Sequence, residues 1–102
     1  MILVRTVFQA NFGKAGELAK MMAASMQREA GNMGESRRWR VLTDLSGPFD
    51  TVVLEGEAPD LATWQRERDE MFQSQDFEAE FAKSAPLIRS GSSEFYTIEA
   101  QG

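Results

Sequence analysis

Residues Thr51 to Ala58, TVVLEGEA, lie between a Gly47-Pro48 turn and Pro59, and they alternate. Val52, Leu54, Gly56 and Ala58 fall on one side of the strand they predict; Thr51, Val53, Glu55 and Glu57 fall on the other. The first side is small and apolar and must be covered by helices. The second carries two carboxylates, which no dry core accepts without partners. What lies opposite Glu55 therefore decides whether this sheet has a wet face or lines an enclosure.

The rest of the chain supplies three more strands and two helical regions. ILVRTVFQA, residues 2–10, is β-branched and apolar with Arg5 and Gln9 interleaved, and predicts a first strand. It is short, has no basic flank and contains Arg5, so it reads as a strand and not as a secretory leader. KAGELAKMMAASMQREA follows. Its Ala15, Leu18, Met22 and Met26 recur at helical spacing, so the methionines read as core filler, and Gly31 is the expected end. SRRWRVLTDLS, from Ser36, predicts the second strand, joined through Ser46-Gly47-Pro48-Phe49 to the third as a hairpin. Asp60 is placed to cap a second helix with Leu61, Trp64, Arg68, Met71 and Phe72 on one face. Ser74-Gln75-Asp76 interrupts it before Phe77 and Phe81, and Pro86 and Gly91 end it. SEFYTIEA, residues 93–100, is the expected last strand. The order βαββαβ is that of an α+β, ferredoxin-like domain spanning residues 1–102, with an antiparallel sheet in the order 4-1-3-2 and both helices on one face.

Composition removes several kinds of chemistry. The chain has no histidine and no cysteine among its 102 residues. This excludes a Ser-His-Asp or Cys-His nucleophile, a histidine or thiolate metal site and a proximal haem ligand, so neither metal nor cofactor is expected. Lack of cysteine fits a cytoplasmic setting. A net charge of −5 works against nucleic acid and anionic membranes as partners, and no segment approaches membrane-spanning length. The run Arg37-Arg38-Trp39-Arg40 does not rescue an RNA-binding reading. RNA-recognition modules share this element order but place stacking aromatics on their central strands, which here read ILVRTVF and TVVLEGE.

On the uncovered face, alternation gathers Leu3, Arg5, Val7 and Gln9 of the first strand, Arg38, Arg40, Leu42 and Asp44 of the second, and Val53 and Glu55 of the third. A face mixing Leu3, Val7, Leu42 and Val53 with Arg5, Arg40 and Glu55 suits a partly wet cavity. Arg5 and Glu55 are expected to meet across neighbouring strands. They form either a structural ion pair or an anchor for a carboxylate or enolate ligand, with Glu55 orienting the arginine or acting as a base. Tyr96, the sole tyrosine, is a donor if it faces this side, but SEFYTIE leaves its direction open.

The stretches FGKAGEL, RVLTDLSGPFDTVVLE, FEAEF, APL and SSEFYTIE carry a resemblance that covers nearly the whole chain. The chain resembles the dimeric α+β barrel superfamily and, within it, the NIPSNAP-like proteins. The resemblance implies a homodimer whose two sheets pack face to face around a small-molecule pocket, with no established reaction for most members. Arg5, Gln9, Arg40, Glu55, Trp64 and Tyr96 are the candidate ligand-binding residues. Trp64 also invites comparison with cofactor-independent monooxygenases of antibiotic biosynthesis and with related haem-degrading enzymes. The latter use a histidine and a first-strand asparagine, whereas here there is no histidine, Asn11 ends the first strand and Asn32 is expected in a loop. Three functions remain: a binding protein for an apolar or aromatic molecule, a cofactor-independent monooxygenase or polyketide-tailoring enzyme, or a dimer without a ligand whose polar face is satisfied by water and ion pairs.

Overall fold

Alternation in the third strand and helical periodicity after the first generate the same architecture in the computed structural model, which describes the backbone of residues 1–33 and 37–102. The elements are β1 (Ile2–Ala10), α1 (Ala15–Met33), β2 (Trp39–Thr43), β3 (Thr51–Ala58), α2 (Leu61–Phe72), α3 (Gln75–Ser84), a short 3₁₀ turn (Ala85–Leu87) and β4 (Ile88–Thr97). The sheet is antiparallel throughout with strand order β2-β3-β1-β4, the expected order read from the other edge. This is the α+β, ferredoxin-like arrangement.

Leu18 and Val52 are fully buried, and with Ala10, Ala15 and Leu87 they form the core, against which Phe8, Ala19, Met21, Met22, Val41 and Ile88 pack. Met22 of the predicted stripe is thus core filler, together with its neighbour Met21. Helix α2 lies on the same side as α1: Trp64 meets Phe95 edge-on at 4.8 Å, and Phe95, paired with Val4, shares the face of Phe8. The break between α2 and α3 is built by Ser74, whose hydroxyl accepts from the Phe77 amide while donating to the Met71 carbonyl. Asp60 caps α2 through the Thr63 amide, and this bond holds its carboxyl below the usual aspartate range. The cap's contribution is accordingly present above about pH 4 and fades as pH falls through the lowered value.

Three boundaries differ from expectation. Helix α1 runs through Gly31 and Asn32 to Met33, because continued hydrogen bonding outweighs the modest cost of one glycine near a helix end, so Asn32 is helical and not in a loop. The expected start of the second strand at Ser36 lies outside the described residues; among those described, β2 begins at Trp39. β4 begins at Ile88 and ends at Thr97, five residues before the expected start. Gly91 ends no helix there. It stands opposite Phe8, whose ring would lie 3.1 Å from a Cβ added at that position, so the glycine makes room for the ring.

One end of the sheet is tied by side chains distant in sequence. Asp50 adopts a left-handed conformation (φ 61°) at the end of the β2–β3 connection. Its carboxylate accepts from the Gly13 and Ala15 amides, satisfying the N-terminus of α1, while its carbonyl accepts from the Ala10 amide. The Asn11 side chain donates to the Pro86 carbonyl, and its amide donates to the carbonyl of Leu87. Replacing Asp50 with Ala removes the cap and leaves a Cβ in a strained conformation, so denaturant titration should show a loss of about 2 to 3 kcal/mol. Asp50→Gly relieves the strain and should lose about 1 kcal/mol less.

Candidate functional site

The face of the sheet without helices is organised in rows by strand register. Arg40, Glu55, Arg5 and Glu94 form one row across β2, β3, β1 and β4; Leu42, Val53, Val7 and Ser92 form the next. Leu3 stands between Glu57 and Tyr96, which settles the direction of the tyrosine: it shares this face with Arg5. The candidates Arg5, Gln9, Arg40, Glu55 and Tyr96 are therefore brought to one side. Trp64 is not. It lies behind the sheet on Phe95, with the Arg68 guanidinium 5.3 Å from its ring, because α2 covers the helix side.

Glu55 is buried, only 8% exposed, on a face that no helix covers. Its short partner is Arg40, whose Nε donates to Oε2 at 2.6 Å. Arg5 Nε stands 3.9 Å from Glu55 Oε1 and 3.8 Å from Glu94 Oε1, between two carboxylates and bonded to neither. The expected Arg5–Glu55 juxtaposition is present, but Arg40 holds the hydrogen bond. Glu94, which sequence reasoning did not single out, completes the row. Its signal was its place two residues before Tyr96 on the same side of a strand, obscured by the adjacent aromatics Phe95 and Tyr96 pointing opposite ways. A hydrogen bond to Glu94, assisted by that negative charge, raises the Tyr96 phenol above its usual value, so the phenol stays protonated and donating throughout the neutral range.

Beside this row the β2–β3 connection, residues 44–50, folds over the sheet. A cavity of about 240 Å³ opens beneath it, lined by Leu42, Thr43 and Val53 from the strands, Asp44, Ser46, Pro48 and Thr51 on the loop side, and Arg5 at the margin. Gln9 serves this loop: its Nε2 donates to Thr51 Oγ1, which donates in turn to the Pro48 carbonyl, while Asp44 Oδ1 accepts from the Thr51 amide. Gln9 is thus a positioning residue for the roof. A second hollow of about 330 Å³ lies at the end of the sheet between Phe12 and Phe49. It is shallow, and both oxygens of the Asp50 carboxylate at its base are committed to α1, so the smaller cavity beside the charged row is the better site. Among the described residues, no group of three or more acidic side chains converges closely enough to hold a metal ion, and no helix is long and apolar enough to cross a membrane.

The fold and this face define the class: an α+β protein of ferredoxin-like architecture with one sheet face bare of helices. Among solved structures, the chain has the fold of NIPSNAP domain proteins. An uncharacterised one from Burkholderia xenovorans is 18% identical, with a TM-score of 0.80 over 95% of this chain and 93% of that one. A NIPSNAP family protein from Agrobacterium tumefaciens is 19% identical, with a TM-score of 0.79 over 94% and 90%. A candidate antibiotic biosynthesis monooxygenase from Deinococcus radiodurans is 14% identical, with a TM-score of 0.70 over the whole of both chains. Such identities establish likeness of fold. No family model matches the sequence, and no curated protein matches it.

Because Glu55 is bonded to Arg40 and only approached by Arg5, the two arginines should differ in their effect on stability. Arg40→Met should destabilise by about 1 to 2 kcal/mol by depriving a buried carboxylate of its donor, and Arg5→Met by less. Adding Glu55→Leu should recover much of the Arg40→Met loss, as read in a double-mutant cycle by urea titration.

Proposed function

We propose that this chain is a homodimeric binding protein for a small apolar or aromatic molecule. Two copies of the bare sheet face would meet and enclose the cavity beside Arg5. The observation that carries the proposal is the cavity itself: apolar on Leu42, Val53 and Pro48, polar at Asp44, Ser46 and the Arg5 margin, and open on the side where none of the described helices lies. At about 240 Å³ it is smaller than most ligand pockets, which span roughly 300 to 1,000 Å³, so a second sheet would supply the missing wall. Surface area supports the same reading. The chain exposes 7045 Å² at a mass of 11.4 kDa, where a self-sufficient monomer of that mass exposes about 5,800 Å². The excess, about 1,200 Å², is more than enough to supply the roughly 800 Å² that each partner buries in a stable interface. A cytoplasmic setting belongs to this proposal and rests on the cysteine-free sequence.

One observation favours a second reading as a cofactor-independent monooxygenase or polyketide-tailoring enzyme. Glu94 Oε1 is buried without a hydrogen-bond partner on the same face, a carboxylate oxygen available to take a proton from a bound phenol. Oxygen consumption in the presence of polyketide-like phenols, abolished by Glu94→Gln, is the expected sign of that activity; none should occur if the protein only binds.

Sedimentation at micromolar concentration should give a dimer, and native mass spectrometry of freshly purified protein should show bound small molecules lost on denaturation. Val7→Glu puts an unpaired charge at the centre of the bare face and should leave a folded monomer. A wild-type chain that sediments as a stable monomer overturns the enclosed pocket.

A further inference from the structure

The charges on the bare face are not distributed evenly among their partners. Glu55 is served by Arg40 at 2.6 Å, while Glu94 Oε1 is buried without a hydrogen-bond partner. Glu55 thus has a donor of its own, and Arg5 is bonded to neither carboxylate. Its Nε is buried without a hydrogen-bond partner, held at 3.9 and 3.8 Å between the two carboxylates, and among the described residues its terminal nitrogens have no acceptor either. Two flanking negative charges at that range orient a guanidinium without consuming its donors. The same side chain forms the margin of the cavity whose other walls are Leu42, Thr43, Ser46, Pro48, Thr51, Val53 and Asp44, the last engaged through Oδ1 by the Thr51 amide.

From this geometry we infer that the cavity takes its ligand by a carboxylate, with the terminal nitrogens of Arg5 as the anchor and the hydrocarbon body of the ligand lying on Leu42, Val53 and Pro48. The inference rests on the reading of this face as a binding pocket and adds the chemical class of the ligand: a small aromatic or alkyl monocarboxylic acid. A guanidinium presents two parallel N–H donors that match the two oxygens of a carboxylate, a geometry an ammonium does not reproduce. Like charge from Glu55 and Glu94 does not forbid the ligand, because Arg40 engages Glu55 and both carboxylates approach Arg5 at its Nε and not at the terminal nitrogens. With two arginines and two glutamates the row has no net charge to draw anions from a distance, and the chain as a whole carries −5. Recognition is therefore local, through the fork and the apolar floor, and does not depend on long-range attraction.

The test uses four probes on the intact protein: benzoate, phenylacetate and their uncharged amides, followed by ¹H–¹⁵N correlation spectra at pH 7. The acids should shift the backbone amides of Leu42, Ser46, Thr51 and Val53 and bind at least tenfold more tightly than the amides. Arg5→Met should bring the acids down to the level of the amides, and Arg5→Lys should recover only part of the difference. If Arg5→Met does not fold, the comparison of acid with amide on the wild type, together with Arg5→Lys, decides. Amides that bind as tightly as the acids at these residues overturn the carboxylate anchor and leave the apolar pocket standing. Absence of shifts from any of the four probes at millimolar concentration, or shifts confined to the Phe12–Phe49 hollow, overturns both.

Discussion

Every layer of this molecule follows from the fact that a four-stranded sheet has two faces while the chain places its helices on one. The apolar residues that pair across β1 and β3 on the helix side, Phe8 and Val52 among them, make a core with α1. On the other side the chain must cover Val53 and Glu55 with what remains, namely the stems of Arg5 and Arg40 and the loop of residues 44–50. That improvised cover is good enough to bury Val53 and Glu55 within one chain, yet it leaves a hollow beneath the loop. A buried carboxylate is tolerable there because Arg40 reaches it, and the strand register sets Arg40 directly opposite Glu55.

Much of this was legible in the residues because alternation is a local property. A strand with glutamates at every second position and small apolar residues between declares both its faces, and the stretch from Thr51 to Ala58 matches the observed β3 from end to end. Asp60 and Ser74 likewise act over three residues, a distance sequence reasoning handles well. What escaped was set at long range. Whether Gly91 ends a helix or receives the ring of Phe8 depends on a partner more than eighty positions away. Whether Glu55 bonds Arg5 or Arg40 depends on which side chain reaches further across an established register, since both stand opposite it. Trp64 stands apart from the other candidates for a simpler reason: an aromatic residue on an amphipathic helix faces the sheet that the helix covers, and its reading as a core residue agrees with its contact with Phe95.

Asp50 shows how one residue can replace several local signals. α1 begins after Gly13-Lys14, without a serine, threonine or aspartate beside its first turn, and reading outward from the helix finds nothing there to cap it. The cap comes instead from a left-handed aspartate in the loop that roofs the cavity. The roof is therefore fastened to the helix layer around the end of the sheet, and the two sides of the sheet share a rigid corner.

The position of β1 between β3 and β4 also governs the order of events while the chain is being made. The first strand to be synthesised is the one that needs both of the others, and residues 88–97 are its last partner. Until they emerge from the ribosome, one backbone edge of β1 stands open beside Leu3, Val7 and Phe8, an apolar strand of the kind that pairs with neighbouring nascent chains. Arg5, at the middle of that strand, places a charge where such a stack would have to form.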